Sequence, residues 1–271
     1  MKNNKKRIIV TFQDLKDTYK SAKYYNLALS KYKNILPLVE SEELAKIVAG
    51  LLTDGFMDIR PRLRSTYYGY IGFFSKNEEE LKEFENLIYI VFGIKGKIKE
   101  WGRRTFGKSK GYIITNSVIT RILSGAGVPG GDKVRQKYEL PAWIINSKDK
   151  VKASFLRQVF DCEGSIGYCK NKRKWEIRYS MFKSKKLSDN CKEFLQEIRN
   201  MLNDFGIKSA LYKKEEYIRQ KDNLEVAGFF IRVDDKQSVL NYARQIGFGI
   251  NYKQERLNLA EKFYKSGPSE I

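Results

Sequence analysis

The sequence predicts an α+β protein built from two similar halves, each running helix-strand-strand-helix-strand-strand-helix. Three observations predict it. Apolar residues alternate with basic ones over short stretches in both halves, helices with matching ends recur in the same order, and the two copies are offset by about 110 residues.

The elements follow in order. Residues 12–36 carry apolar side chains at loosely helical spacing and stop at Pro37, so residues 1–40 are expected to form a helical extension. Ser41 is a good N-cap, Glu42 and Glu43 favour the positive end of a helix, and Leu44, Ile47, Val48, Leu51 and Leu52 make one apolar stripe ending at Gly55. Met57, Ile59, Pro61 and Leu63 then alternate with Asp58, Arg60, Arg62 and Arg64, which predicts a strand with one core face and one basic face. A strand over Tyr67–Phe74, a helix over Glu78–Phe92, a strand around Ile94–Trp101, a strand over Tyr112–Thr115 and a helix over 116–126 complete the first repeat, which with its linker occupies 41–146. The second repeat is expected over 147–271. Ser147 is placed to cap a helix bearing Val151, Phe155, Leu156, Val159 and Phe160, which stops at Glu163-Gly164. Trp175, Ile177, Tyr179 and Met181 alternate with Lys174, Glu176, Arg178 and Ser180; a helix over 188–204 ends in Phe205-Gly206-Ile207-Lys208, echoing Phe92-Gly93-Ile94-Lys95. Strands over 209–219 and 225–233 and a helix over 236–245 finish the copy.

Composition narrows the chemistry. Fifty-two Lys and Arg against 32 Asp and Glu leave a net charge of +20 in 271 residues, which favours a polyanionic partner over a small uncharged substrate. There is no histidine, so histidine-dependent triads, His-ligated zinc and imidazole bases are excluded. Three cysteines make no disulfide framework and no zinc set. With neither a signal-peptide core nor a membrane-length apolar run, the chain is expected inside the cell, in the cytoplasm of a prokaryote or in an organelle, not secreted and without a membrane partner.

The two helix ends, IVAGLLTDG and LRQVFDCEG, align with Gly55 over Gly164. Ala45, Ala49 and Thr53 form a row at i, i+4 and i+8, matched by Ser154, Gln158 and Cys162; such mostly small rows let helices approach closely, and Gln158 needs a hydrogen-bond partner there. Each helix also ends in an acid, Asp54 or Glu163, at the negative end of its dipole, an unfavourable position worth about 0.3–1 kcal/mol. A divalent cation with hard oxygen ligands, such as Mg²⁺, removes the penalty.

These residues resemble the two motifs of the LAGLIDADG homing endonucleases in their single-chain form, over about residues 41–265. GVPGGDK with LPAWI, and IGFGINYKQERL, resemble the family's repeat ends, whereas Leu52 and Gln158 depart from its consensus. The resemblance implies two four-stranded antiparallel sheets forming a saddle over double-stranded DNA, and an intron-encoded monomer that cuts one phosphodiester in each strand with Mg²⁺, Ca²⁺ or Mn²⁺ substituting, to leave 3′ overhangs. It implies Asp54 and Glu163 as metal-binding acids, main-chain oxygens of Thr53 and Cys162 as further ligands, and Lys133 and Lys253 as basic residues flanking the site. The alternative is a maturase binding intron RNA, or an inactive nucleic-acid-binding protein.

The basic strand faces are the expected DNA surface: Arg60, Arg62, Arg64, Tyr68, Tyr70, Lys97, Lys99, Arg103 and Arg104 in the first half, and Lys170, Lys172, Lys174, Arg178, Lys213, Lys214 and Arg219 in the second. Binding to duplex DNA is predicted to weaken steeply between about 50 and 200 mM salt as counterions are released. A flat anisotropy titration across that range contradicts such a surface.

Overall fold

The computed structural model describes residues 6–61, 67–101 and 109–266; Arg62, Arg64, Arg103 and Arg104 lie outside the described residues. The chain divides into two units, residues 1–131 with 141–147, and residues 132–140 with 148–271.

In the first unit, β1 (Ile8–Val10) pairs antiparallel with β2 (Leu38–Val39), and the chain between them forms α1 (Phe12–Asp17) and α2 (Ala22–Tyr32). The extension is therefore helical where its spacing predicts, with two short strands added by the β-branched run at Ile8–Val10. α3 (Glu42–Leu52) is capped by the Ser41 hydroxyl, which accepts from the Leu44 amide at 3.1 Å. Leu44, Ala45, Ile47, Val48, Ala49 and Leu51 are all fully buried, so the apolar stripe extends around most of the helix. There follow β3 (Phe56–Pro61), β4 (Tyr67–Ser75), α4 (Glu78–Phe92), β5 (Lys97–Trp101), β6 (Ser109–Thr115), α5 (Ser117–Gly125) and the short α6 (Ala142–Ile145).

The four strands form an antiparallel sheet in the order β3-β4-β6-β5. Strand alternation decides its two faces. Met57, Ile71, Phe73, Tyr112 and Ile114 are buried on the side packed by α3, α4 and α5. Phe56, Asp58, Arg60, Tyr68, Tyr70, Phe74, Lys97 and Lys99 share the other side by register.

The second unit repeats this plan with α7 (Asp149–Glu163), β7 (Gly164–Cys169), β8 (Lys174–Ser184), α8 (Ser188–Asp204), β9 (Ala210–Arg219), β10 (Leu224–Val233), α9 (Lys236–Gln245) and α10 (Asn251–Ser266). Its antiparallel sheet runs β7-β8-β10-β9, the same first-second-fourth-third order. Ile166, Trp175, Ile177, Tyr179, Met181, Phe229, Ile231 and Val233 are its core face. Among the described residues no helix is long and apolar enough to cross a membrane.

Two expectations change. Ser147 does not cap the second motif helix: its hydroxyl donates to the Ile144 carbonyl at 2.7 Å, closing α6, and Lys148 takes the N-cap position without a side-chain bond. α10 lies beyond the last predicted helix, because its residues, rich in Lys, Gln, Glu and Arg, show little apolar periodicity although Leu257, Ala260 and Phe263 are buried.

The echoed helix ends share one conformation. Gly93 at φ +65° and Gly206 at φ +66° are both left-handed and terminate α4 and α8. Nothing lies within 4 Å of where a Cβ on Gly93 would stand, so its requirement is purely conformational. Gly93→Ala is predicted to lower the unfolding free energy by about 1 kcal/mol in urea titrations.

Candidate metal centre and nucleic-acid interface

The last turn of α3 folds its small polar side chain inward. Thr53 Oγ1 donates to the Ala49 carbonyl at 2.8 Å, and the Gly55 amide donates to the Gly50 carbonyl at 2.8 Å. Half-buried Asp54 leaves between them, and β3 begins at Phe56. A Cβ on Gly55 would meet the carbonyls of Gly50 and Gly72 at 2.9 Å, and one on Gly164 would meet the Phe160 carbonyl at 2.4 Å. The motif glycines are thus required by the close return of each helix end onto backbone.

At the end of α7, the Gln158 amide donates to Cys162 Sγ at 3.4 Å, so the misfit in the small-residue row finds its partner in that same row. Two acids compete for the site here, and burial separates them. Asp161 is buried, and its carboxylate accepts from the Gly249 amide at 3.0 Å and the Ile250 amide at 3.4 Å, at the start of α10. Glu163, two residues on, is exposed.

Lys253 is 3% exposed, and its ammonium donates to the carbonyls of Phe160, at 3.1 Å, and Asp161. A cation at this C-terminus opposes both the helix dipole and the charge of Glu163. Arg157 Nε adds a bond to the Ile246 carbonyl at 2.6 Å, so three side chains tie α7 to residues 246–253. Sequence reasoning missed Asp161 and Arg157, which lie four residues apart on the side of α7 away from its apolar stripe, so hydrophobic periodicity gave no signal for either.

On the helix-free face of the first sheet stand Arg60, Tyr68, Tyr70, Lys97 and Lys99, all as expected from alternation. Arg60 pairs with Asp58 at 2.5 Å, while Lys97 and Lys99 are exposed. Between them runs an aromatic stack not foreseen from the sequence: Phe74–Phe56 at 5.5 Å, Phe56–Tyr70 at 5.3 Å and Tyr70–Tyr68 at 6.0 Å between centroids.

The second sheet's cations are largely engaged. Lys174 pairs with Asp234 at 2.6 Å, Arg178 with Glu176, and Arg219 with Asp222 at 2.6 Å and Asp132 at 3.2 Å. Hydrogen bonds from Arg219 and Arg135 hold the Asp222 carboxyl well below the usual range. Lys170 and Lys172 lie in the turn between β7 and β8, Lys172 at 3.8 Å from Glu176, and Lys214 stands 4.7 Å above the Phe182 ring. Lys213 departs from expectation: the bulge between β9 and β10 puts it opposite Phe229, on the helix-packed side, paired with Glu216 at 2.7 Å.

A family profile described as a LAGLIDADG-like domain matches residues 150–247. That stretch of the chain is thus similar to a LAGLIDADG-like domain. It is 26% identical over 250 residues to the tRNA-splicing ligase RtcB of Pyrococcus furiosus, covering 86% of this chain and 24% of that protein. To the DNA-directed RNA polymerase subunit Rpo1N of Methanocaldococcus jannaschii it is 24% identical over 276 residues, covering 96% of this chain and 20% of that protein. The chain thus spans about a quarter or less of the length of these curated relatives. Among solved structures, the homing endonuclease I-DmoI in complex with DNA and Ca aligns at 11% identity with a TM-score of 0.49, covering 76% of this chain and 88% of that one.

Neither motif-helix end gathers several carboxylates. Among the described residues no group of three or more Cys, Asp or Glu comes together. One carboxylate with main-chain oxygens at each helix end cannot make an all-protein cage. It suits a hard cation that completes its shell with water and phosphate oxygens.

Lys133 belongs to the second unit, in the segment 132–140. That segment is held by side chains which sequence reasoning did not single out. Fully buried Lys183 on β8 donates to the Gln136 carbonyl at 2.6 Å and the Lys133 carbonyl at 3.3 Å, and sits 3.6 Å from the Tyr138 ring centroid. Asn190 brackets the Tyr138 main chain, donating to its carbonyl at 3.0 Å and accepting from its amide at 3.3 Å. The signal was parity, because Lys183 continues the inward series Trp175, Ile177, Tyr179 and Met181.

Burial pulls the Lys183 ammonium down to about 8, and the Lys133 charge adds to that. Below that pH the folded protein carries the full cost of the buried charge. Between about 8 and 10.5 the unfolded chain holds more protons than the folded one, so this contribution makes stability rise with pH. The stability of the natural protein minus that of Lys183→Met is predicted to climb across this window in urea titrations; a flat difference refutes the burial of the charge.

Proposed function

We propose that this chain is a site-specific DNA endonuclease of the homing type, which hydrolyses one phosphodiester in each strand of a long duplex target with a divalent cation. The observation that carries the reading is made in each unit separately. A motif helix delivers a carboxylate at its C-terminal end and turns within two residues into the first strand of a sheet whose other face bears cations and aromatic rings. The match to a LAGLIDADG-like domain supports it. So does the recurrence of a similar segment as a fifth to a quarter of proteins named for RNA ligation and RNA synthesis, which favours a portable module over either of those activities.

Asp54 with the Thr53 carbonyl, and Glu163 with the Cys162 carbonyl, would hold Mg²⁺, which when bound supplies an activated water and neutralises charge on the attacked phosphate. The protein's own residues position and screen. Lys253 holds the last turn of α7 so that Glu163 projects from a fixed end. Lys133 lends positive charge to the phosphate, and Lys183 fixes the segment that carries it. Lys97, Lys99, Lys170, Lys172 and Lys214 hold the DNA backbone. The chain acts as a monomer inside the cell.

The aromatic stack from Phe74 to Tyr68 favours a second reading, binding of unpaired RNA bases by a maturase, since bases stack on such rings.

Selection of cut products from a randomised duplex library is expected to yield Mg²⁺-dependent ends with short 3′ overhangs. Asp54→Asn and Glu163→Gln are each predicted to slow cutting by about a hundredfold or more while duplex affinity stays within a few-fold. Binding of structured RNA in the absence of any cut duplex selects the second reading.

A further inference from the structure

A second site lies in the first unit, on the outer side of α5. That helix packs on β3 and β4, and α1 packs on α5 in turn. Between α2 and the start of α5 is a cavity of about 410 Å³, a volume within the range of small-ligand sites. Tyr19, Tyr24 and Tyr32 supply its aromatic wall, and Lys20, Lys31 and Arg121 its charge; no carboxylate lines it.

The wall is built, not incidental. Asn116 donates to the Tyr32 hydroxyl at 2.7 Å while its carbonyl oxygen caps α5, so that ring is fixed to the helix start. The guanidinium of Arg121 lies 4.3 Å from the Tyr19 centroid and donates to the Thr18 carbonyl, which fixes the second ring. Tyr24 is 42% exposed, and Lys20 and Lys31 are exposed around it. The segment Thr18–Val39 contributes four tyrosines and four lysines and no acid. An extension whose only task was to cover α5 would gain nothing from concentrating rings and unbalanced positive charge about a cavity.

Rings recognise a flat π-system, and ammonium groups beside them recognise an anion attached to it. The volume admits one such unit and is too small for a duplex. We propose that this cavity binds a nucleotide, an aromatic base against the tyrosines with its phosphate on Lys20 and Lys31, presented free or by a single strand. The site is separated from the sheet's helix-free face by α5 and the sheet itself, so the proposal stands apart from DNA cleavage.

Equilibrium dialysis of the full chain against adenosine monophosphate, adenosine and inorganic phosphate tests it. Saturable binding of the nucleotide is expected, with both fragments weaker and with competition by a single-stranded oligothymidylate. Tyr24→Ala is expected to weaken nucleotide binding by about tenfold, and Lys20→Glu with Lys31→Glu by at least about tenfold at low salt. All these residues are surface positions, and circular dichroism checks that the variants fold. Lys97→Ala with Lys99→Ala, on the sheet face, is expected to leave nucleotide binding unchanged. The proposal is overturned if no saturable binding occurs, if phosphate binds as tightly as the nucleotide, or if the sheet-face pair abolishes binding that the cavity variants retain. Loss of DNA cutting in the Asp54→Asn chain with nucleotide binding intact would separate the two sites.

Discussion

A carboxylate at the C-terminal end of a helix faces the negative end of the backbone dipole, and each unit of this protein holds one there. The arrangement needs an offset. In the second unit Lys253 places its ammonium on the carbonyls of the same turn that bears Glu163, buried where water screens it little. The position of α10 follows from this contact. Asp161 accepts from the two amides just before that helix and Arg157 bonds the Ile246 carbonyl, so the helix end and the last segment of the chain are built as one body.

The duplication is faithful in topology and loose in chemistry. Both sheets have the same strand order, and both long helices end at a left-handed glycine. Yet the residue aligned with Asp161 is buried Leu52, so a carboxylate that holds two main-chain amides in one copy is replaced by an apolar side chain in the other. Such exchange costs little when the volume is filled and no polar group is left without a partner. The two helix-free faces diverge as well. The first presents exposed lysines beside a stack of rings, whereas the second ties several cations to Glu176, Asp222 and Asp234. Such pairs lower the positive charge available to a polyanion.

Rigid placement of residues 132–140 rests on a less common device. A fully buried lysine donates to two main-chain carbonyls and faces an aromatic ring, with burial, helped by the Lys133 charge, pulling its proton affinity down from 10.5 to about 8. An apolar residue there would leave the carbonyls of Lys133 and Gln136 without that donor. The desolvation is tolerated because it orders a segment that has no secondary structure of its own.

Much of the fold was legible in the residues alone, since alternation, N-caps and terminal glycines act within a few residues of themselves. The helices over 78–92 and 188–204, the inward rows of β4 and β8, and the outward positions of Arg60, Tyr70, Lys97 and Lys99 all follow from such local rules. What tertiary structure decided was which polar groups are buried and with whom. Lys253 meets a carbonyl 93 residues away, Asp161 an amide 88 away, and Lys183 a carbonyl 47 away, and no periodicity encodes such partners. The bulge that turns Lys213 away from its expected face is likewise a property of two strands pairing, not of either one.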